Sequence, residues 1–137
     1  MCIRDRCRLI LETLEDDHAH KEPASYERAT IEHVLPQTMS PEWRLALGAD
    51  ADALHEEWSD TIGNLTLTGY NSELSNSPFA EKRALLEKSN FVLNRWIAAR
   101  DVWDAATIQE RAGVLFAKAS KIWGGPPVLT APVSEAT

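Results

Sequence analysis

The chain has 137 residues, 44% of them hydrophobic and 26% charged, a composition typical of a globular domain that can bury a core. No apolar run approaches about 18 residues, and no secretion signal is visible, so the sequence predicts neither a membrane span nor export. The net charge of −7 argues mildly against a nucleic-acid partner, although residues 1–76 carry a net −9 and residues 77–137 a net +2.

Both cysteines, Cys2 and Cys7, lie at the extreme N-terminus and do not form a C-x-x-C pair. The sequence therefore predicts neither a structural zinc site nor a disulfide framework, and a cytoplasmic protein is the default expectation. The segment from Met1 to Arg6 is unlike the usual start of a domain. We therefore interpret residues 1–25 as a helix and loop that remain from a longer chain.

Residues 1–36 are predicted to form one helix and one strand. Apolar residues at helical spacing predict an amphipathic helix over 7–16, followed by a polar loop with His18 and His20. β-branched and apolar residues then predict a strand over 30–35, which ends at Pro36.

Residues 37–61 form a long insertion with two predicted helix starts. Ser40 is placed to cap a helix whose first residue is Pro41, and Asp50 is placed to cap a second helix over 51–58. The alternation that follows predicts a strand over 62–68, with Gly63 supplying a special backbone angle before Asn64.

The second half is predicted to be helical, with helices over 78–88, 91–100 and 107–123. Thr107 and Glu110 have the spacing of a capping box for the last helix, and Gly124 is expected to end it. We therefore predict an α+β fold, mostly helical, in which a two-stranded β unit and the helix after it are embedded in flanking helices. The domain is expected to cover residues 26–123, with a disordered tail over 124–137.

Two segments carry the candidate chemistry. Glu32 and His33 are neighbours in the first predicted strand, and Asn64 and Asn71 bracket the second. A carboxylate, an imidazole and amides are the side chains that hold one hard metal ion and one activated water. A histidine also titrates near neutral pH, so His33 is a candidate general base.

The run Glu32-His33-Val34-Leu35-Pro36-Gln37 resembles the Asp-His-Ile-x-Pro strand of HNH, or ββα-metal, nucleases, with Glu in place of Asp. The run from Ile62 to Leu67, followed by Asn71, Phe79 and Lys82, is similar to the second strand and helix of that family. With Trp103-x4-Ile108-x2-Arg111, residues 26–123 resemble most closely the C-terminal domain of GmrSD-type, modification-dependent restriction enzymes.

The resemblance implies a DNA endonuclease that uses one Mg²⁺ or Mn²⁺ ion. It implies that Glu32 and Asn71 bind the metal, that His33 activates water, and that Asn64 holds the imidazole in the right tautomer. Lys82 or Arg83 is then expected to contact the phosphate.

The second metal ligand, the partner domain and the alternative function are each considered from the sequence. Asn71 follows Asn64 by seven positions, fewer than HNH nucleases commonly have, so Asn76 is an alternative ligand, although we expect Asn76 to cap the next helix. The family resemblance also implies an N-terminal NTP-hydrolysing domain or subunit, whose Gly-x4-Gly-Lys-Ser/Thr loop is not found in this sequence. The alternative function is a catalytically inactive DNA-binding or assembly domain of a defence protein.

Overall fold

The computed structural model describes residues 3–18, 25–69 and 74–124. In chain order its elements are α1 (Ile3–Asp16), β1 (Thr30–His33), α2 (Pro41–Leu47), α3 (Ala51–Trp58), β2 (Leu65–Thr68), α4 (Phe79–Leu86), α5 (Val92–Ala98) and α6 (Ala105–Trp123), with 3-10 turns at Gly48–Asp50 and Ile62–Asn64. The predicted α+β fold, helical around a two-stranded antiparallel sheet, is confirmed. No helix in these described ranges is long and apolar enough to cross a bilayer. The predicted tail beyond residue 124 lies outside the described residues.

The sheet is shorter than the sequence predicted. Strands β1 and β2 pair so that Thr30 lies opposite Thr68 and His33 opposite Leu65. Strand β1 ends at His33, although the N–H of Val34 still donates to the backbone carbonyl of Asn64, the residue opposite it. Residues 62–64, predicted as strand, form the 3-10 turn instead. Strand β1 therefore ends, and β2 begins, beside this turn.

Gly63 is required for close packing rather than for an unusual backbone angle. Its φ is not among the positive values found in the described chain, so that expectation was wrong. A Cβ at this position would lie 2.3 Å from the carbonyl oxygen of Ile108. The backbone of the 3-10 turn therefore lies directly against α6, and only a glycine permits this approach.

The local capping signals were partly right for α2 and α3. The Ser40 hydroxyl accepts from the N–H of Trp43 at 3.4 Å, with Pro41 beginning α2, as predicted. Asp50 makes no side-chain capping bond, because the Gly48–Asp50 turn leads continuously into α3 and already orders its first residues.

At α6 the predicted stop is confirmed and the predicted capping box is wrong. Gly124 ends the helix in the left-handed conformation at φ 53°. The helix begins earlier than expected, so Asp104 is its N-cap and accepts from the N–H of Thr107 at 3.0 Å. Thr107 therefore lies within the first turn, where it cannot cap together with Glu110.

Two hydrophobic clusters hold the helices to the sheet. One contains the residues after β1 together with α2, α4, α5 and α6, namely Val34, Leu35, Trp43, Leu74, Leu86, Ile97, Trp103 and Ile108. The other packs α1, α5 and α6 against the strands through Leu11, Leu14, Ala29, Leu65, Leu67, Leu93 and Leu115. Asn94 of α5 also donates to the carbonyl of Leu67 at 2.8 Å. The end of β1 is thereby supported by buried side chains from most of the fold.

Candidate functional site

A polar cleft of about 340 Å³ lies at the carboxyl end of β1. It is lined by Ile31, Glu32, His33, Pro36, Gln37, Thr38, Ser75 and Asn76. Side chains of consecutive strand residues normally point to opposite faces, which would separate Glu32 from His33. Here the strand ends at His33 and the chain bends away, so both residues line one cleft.

The imidazole of His33 is paired with a carboxylate that the sequence analysis did not select. Its Nε2 lies 3.0 Å from Oδ1 of Asp60, and the side chain of His33 is 16% exposed. Asp60 itself is 84% exposed. Nothing in the sequence distinguished Asp60 from other surface carboxylates, because its partner is 27 positions away. His33 thus has an exposed carboxylate partner that is not itself among the described residues lining the cleft.

Asn64 is fully buried, and its amide has no hydrogen-bonding capacity left for the imidazole. Its Oδ1 accepts from the N–H of Leu35 at 2.8 Å and from Nε1 of Trp103 at 2.9 Å. Its Nδ2 donates to the carbonyls of Leu35 at 3.0 Å and Ser59 at 2.8 Å. Because an amide offers two donors and two acceptor sites, these four bonds use it completely. These bonds leave Asn64 none for the imidazole, against the expectation that it holds the tautomer of His33.

Asn64 instead clamps together the two chain segments that carry the imidazole and its partner. Leu35 lies two residues after His33, and Ser59 lies one residue before Asp60. By binding the backbone of both segments, Asn64 fixes the distance between the imidazole and the carboxylate. Its effect on His33 is exerted through the backbone.

A second buried group, Arg111 of α6, supports the same turn. Its side chain is 1% exposed, and Nη1 donates to the carbonyls of Gly63 at 3.0 Å and Leu65 at 2.6 Å. Burial lowers the pKa of Arg111 to about 9, which still leaves the guanidinium charged at neutral pH. In the sequence, Arg111 and Trp103 were only parts of a family pattern, and no spacing rule placed them against Asn64.

Glu32 forms a buried ion pair with Lys82. Nζ of Lys82 lies 2.7 Å from Oε2 of Glu32, and it also donates to the carbonyls of His33 at 2.8 Å and Val34 at 2.9 Å. Burial raises the pKa of the Glu32 carboxyl, against the opposing effect of the lysine, and burial likewise lowers the pKa of Lys82. The three ammonium hydrogens of Lys82 are all used, and its side chain is fully buried. The predicted contact of Lys82 with phosphate therefore does not fit the structure.

Arg83, the other predicted phosphate contact, lies outside this cleft. Its Nε donates to the carbonyl of Ala98 at 2.9 Å, and its Nη1 lies 3.5 Å from Asp101. It is not among the described residues that line the cleft. A contact between Arg83 and DNA stays a prediction.

The two candidate amide ligands differ in what the structure describes. Asn71 lies outside the described residues. Asn76 lies on the wall of the cleft that also holds Glu32 and His33. It does not cap α4, as had been expected, because that helix begins at Phe79 directly after Pro78. Asn76 is thus available to the cleft as an amide.

The donor set of the cleft suits a hard divalent ion held by few protein ligands. Within residues 3–18, 25–69 and 74–124, no three His, Cys, Asp or Glu side chains form a ready metal cluster. Glu32 and an asparagine would supply two oxygen donors. Mg²⁺ is commonly bound through one or two carboxylates while water and phosphate oxygens complete its octahedron, so this small set fits it.

The fold and the cleft define a small α+β domain with a carboxylate and a histidine side by side. The chain belongs to the family described as GmrSD restriction endonucleases, C-terminal domain, which matches residues 3–118. The family predicted from the sequence is therefore confirmed, and the chain is a nuclease-related domain of a restriction system. A comparison with curated proteins gave no match.

Proposed function

We propose that this domain is a divalent-metal-dependent endonuclease of the HNH type, which hydrolyses phosphodiester bonds of DNA with His33 as the general base. The observation that carries the proposal is the shared cleft, in which Glu32 and His33 lie side by side at the end of β1. Neither residue alone would point to this chemistry.

His33 suits the role of proton acceptor. A neutral imidazole can take a proton from an attacking water. Asp60 lies 3.0 Å from Nε2 and adds a weak, exposed contact to the ring. Asn64 keeps the segments on either side in place through Leu35 and Ser59. An imidazole whose backbone is held in this way can reach the water that attacks a DNA phosphate with little reorganisation.

Glu32 would hold the metal together with one asparagine, which is Asn71 by family resemblance or Asn76 by its place on the cleft wall. When bound, Mg²⁺ or Mn²⁺ polarises a phosphoryl oxygen and stabilises the charge that develops on the leaving oxygen. Two protein ligands leave room for waters and a phosphate oxygen, as Mg²⁺ prefers.

We infer that DNA selection in the complete system depends on further parts of the protein. The net charge of −7 gives this domain little nonspecific attraction for DNA. The family resemblance implies an NTP-hydrolysing domain or subunit as its partner, which would supply recognition of sequence or base modification.

A plasmid-nicking assay with Mg²⁺ or Mn²⁺ tests the proposal. The wild-type chain should nick DNA with metal and lose this activity in excess chelator. His33→Ala should lower the rate by roughly 10²–10⁴-fold, the usual contribution of a general base. His18→Ala is the matched control, since His18 lies near Lys118 and away from the cleft.

Two results would contradict the proposal. Normal nicking by His33→Ala would show that His33 is not the general base. Nicking that persists in excess chelator would show that the reaction needs no metal ion. DNA binding without cleavage under any metal would indicate the alternative, an inactive DNA-binding domain.

A further inference from the structure

Lys82 of α4 is a buried side chain whose ammonium group is bonded at the end of β1. Its side chain is fully buried, and all three of its hydrogen-bond acceptors belong to consecutive residues, Glu32, His33 and Val34. A fully buried lysine is rare unless it is paired, and here the partner is the candidate metal ligand. Lys82 therefore neutralises the Glu32 charge and also bonds the backbone that follows it.

The two oxygens of Glu32 are in different surroundings. Oε2 lies 2.7 Å from Nζ of Lys82. In the described parts of the chain, no hydrogen bond to Oε1 is found, and the residue lines the polar cleft. The contact with Lys82 restricts the rotamer of the carboxylate, and Oε1 is the oxygen that it leaves unengaged for an ion.

We propose, building on the function proposed above, that Lys82 is a positioning residue of the metal centre, which fixes Glu32 so that a divalent ion is bound through Oε1 alone. Lys82 then touches neither metal nor DNA. By binding the carbonyls of His33 and Val34 as well, it also sets the turn that brings His33 and Glu32 into one cleft.

Single-oxygen binding has a consequence for the choice of ion. Mg²⁺ and Mn²⁺ fit an octahedron with one oxygen from each carboxylate, whereas Ca²⁺ takes more ligands and often both oxygens of a carboxylate. The Lys82 contact therefore favours the smaller ions at this cleft.

The first test is a crystal of the wild-type chain soaked with Mn²⁺. We expect Mn²⁺ on one oxygen of Glu32 with Lys82 still bound to the other. Binding of Mn²⁺ through both oxygens, with Lys82 displaced, would overturn the inference and leave the proposed nuclease function standing. A wild-type chain that binds no Mn²⁺ would overturn both.

The second test measures Mn²⁺ affinity by electron paramagnetic resonance of the free ion for Lys82→Met and Lys82→Arg. Loss of a residue that orients a metal ligand typically weakens binding by about 10–100-fold, and we expect this for both variants. Lys82→Arg keeps the positive charge, so a loss there reports geometry, and it remains informative where Lys82→Met does not fold. Unchanged or tighter Mn²⁺ binding by the folded variants would mean that Lys82 affects the ion only through charge repulsion. That result would contradict the inference.

Leu86→Ala is the matched control, because Leu86 is fully buried on the same helix and is not in the cleft. It should lower the melting temperature without changing Mn²⁺ affinity. A raised KM for DNA in Lys82→Arg with unchanged Mn²⁺ affinity would assign Lys82 to phosphate binding and overturn the positioning role.

Discussion

Oδ1 of Asp60 lies 3.0 Å from Nε2 of His33, and the carboxylate is the exposed partner of this pair, at 84% against 16% for the imidazole. An exposed ion pair contributes at most about 1 kcal/mol. We therefore expect Asp60→Asn to slow plasmid nicking by roughly fivefold or less. The imidazole keeps its place because Asn64 continues to hold the backbone on both sides.

Asp52→Asn is the control for Asp60, since it removes one charge from another exposed pair, that with Arg44. It should leave the nicking rate unchanged. A loss of several orders of magnitude in Asp60→Asn would mean that the carboxylate takes part in the chemistry itself.

Glu32→Gln should abolish metal-dependent nicking and Mn²⁺ binding. The amide oxygen can still accept from Lys82, but the charged ligand is lost. Glu27→Gln, at an exposed position five residues earlier, should change neither property. Calorimetric titration with Mn²⁺ and nicking assays on both variants check this. Full activity in Glu32→Gln would exclude Glu32 as a ligand.

Asn71→Ala and Asn76→Ala distinguish the two possible second ligands. We keep Asn71 as the ligand and expect its loss to remove metal-dependent nicking. Asn76→Ala should keep the metal requirement, and its free energy of unfolding should change by no more than about 0.5 kcal/mol, because the side chain is exposed and caps no helix. If metal-dependent nicking requires Asn76 and does not require Asn71, the second metal ligand is Asn76 on the cleft wall.

Asn64→Ala should destabilise the domain as well as inactivate it. It removes the partners of the Leu35 backbone, the Ser59 carbonyl and the Trp103 indole, all in the buried interior. Each unsatisfied buried group costs about 1–3 kcal/mol, so we expect a loss of roughly 3 kcal/mol or more. Urea unfolding measures this, with Asn90→Ala as the exposed control. Equal stability of the two variants would refute the clamp.

Local features of the sequence predicted local structure well. Ser40 before Pro41 and Gly124 after the last periodic residue gave correct helix ends, because capping depends on atoms within one turn. The predicted strands were longer than those in the structure. Tertiary contacts decide them, and the hydrogen bonds of Asn64 across 29 positions draw Leu35 out of the sheet.

The same limit applies to the site. The adjacent pair Glu32 and His33 could be selected from the sequence, because the chemistry of the two side chains is visible in the letters alone. The role of Lys82 could not, because its partner Glu32 lies 50 positions away and a lysine on a helix is ordinarily solvated. A buried lysine and an exposed one are identical in a single sequence.

The packing of Gly63 on Ile108 has a consequence for the order in which the molecule is completed during synthesis. The ribosome releases Glu32, His33 and Asn64 well before Trp103 and Arg111. These two later side chains donate hydrogen bonds to Asn64 and to the carbonyl of Gly63. A nascent chain that stops before α6 therefore carries every residue of the cleft without the support that holds the cleft in shape. We therefore expect the cleft to reach its final shape only after residues 103–111 have been translated.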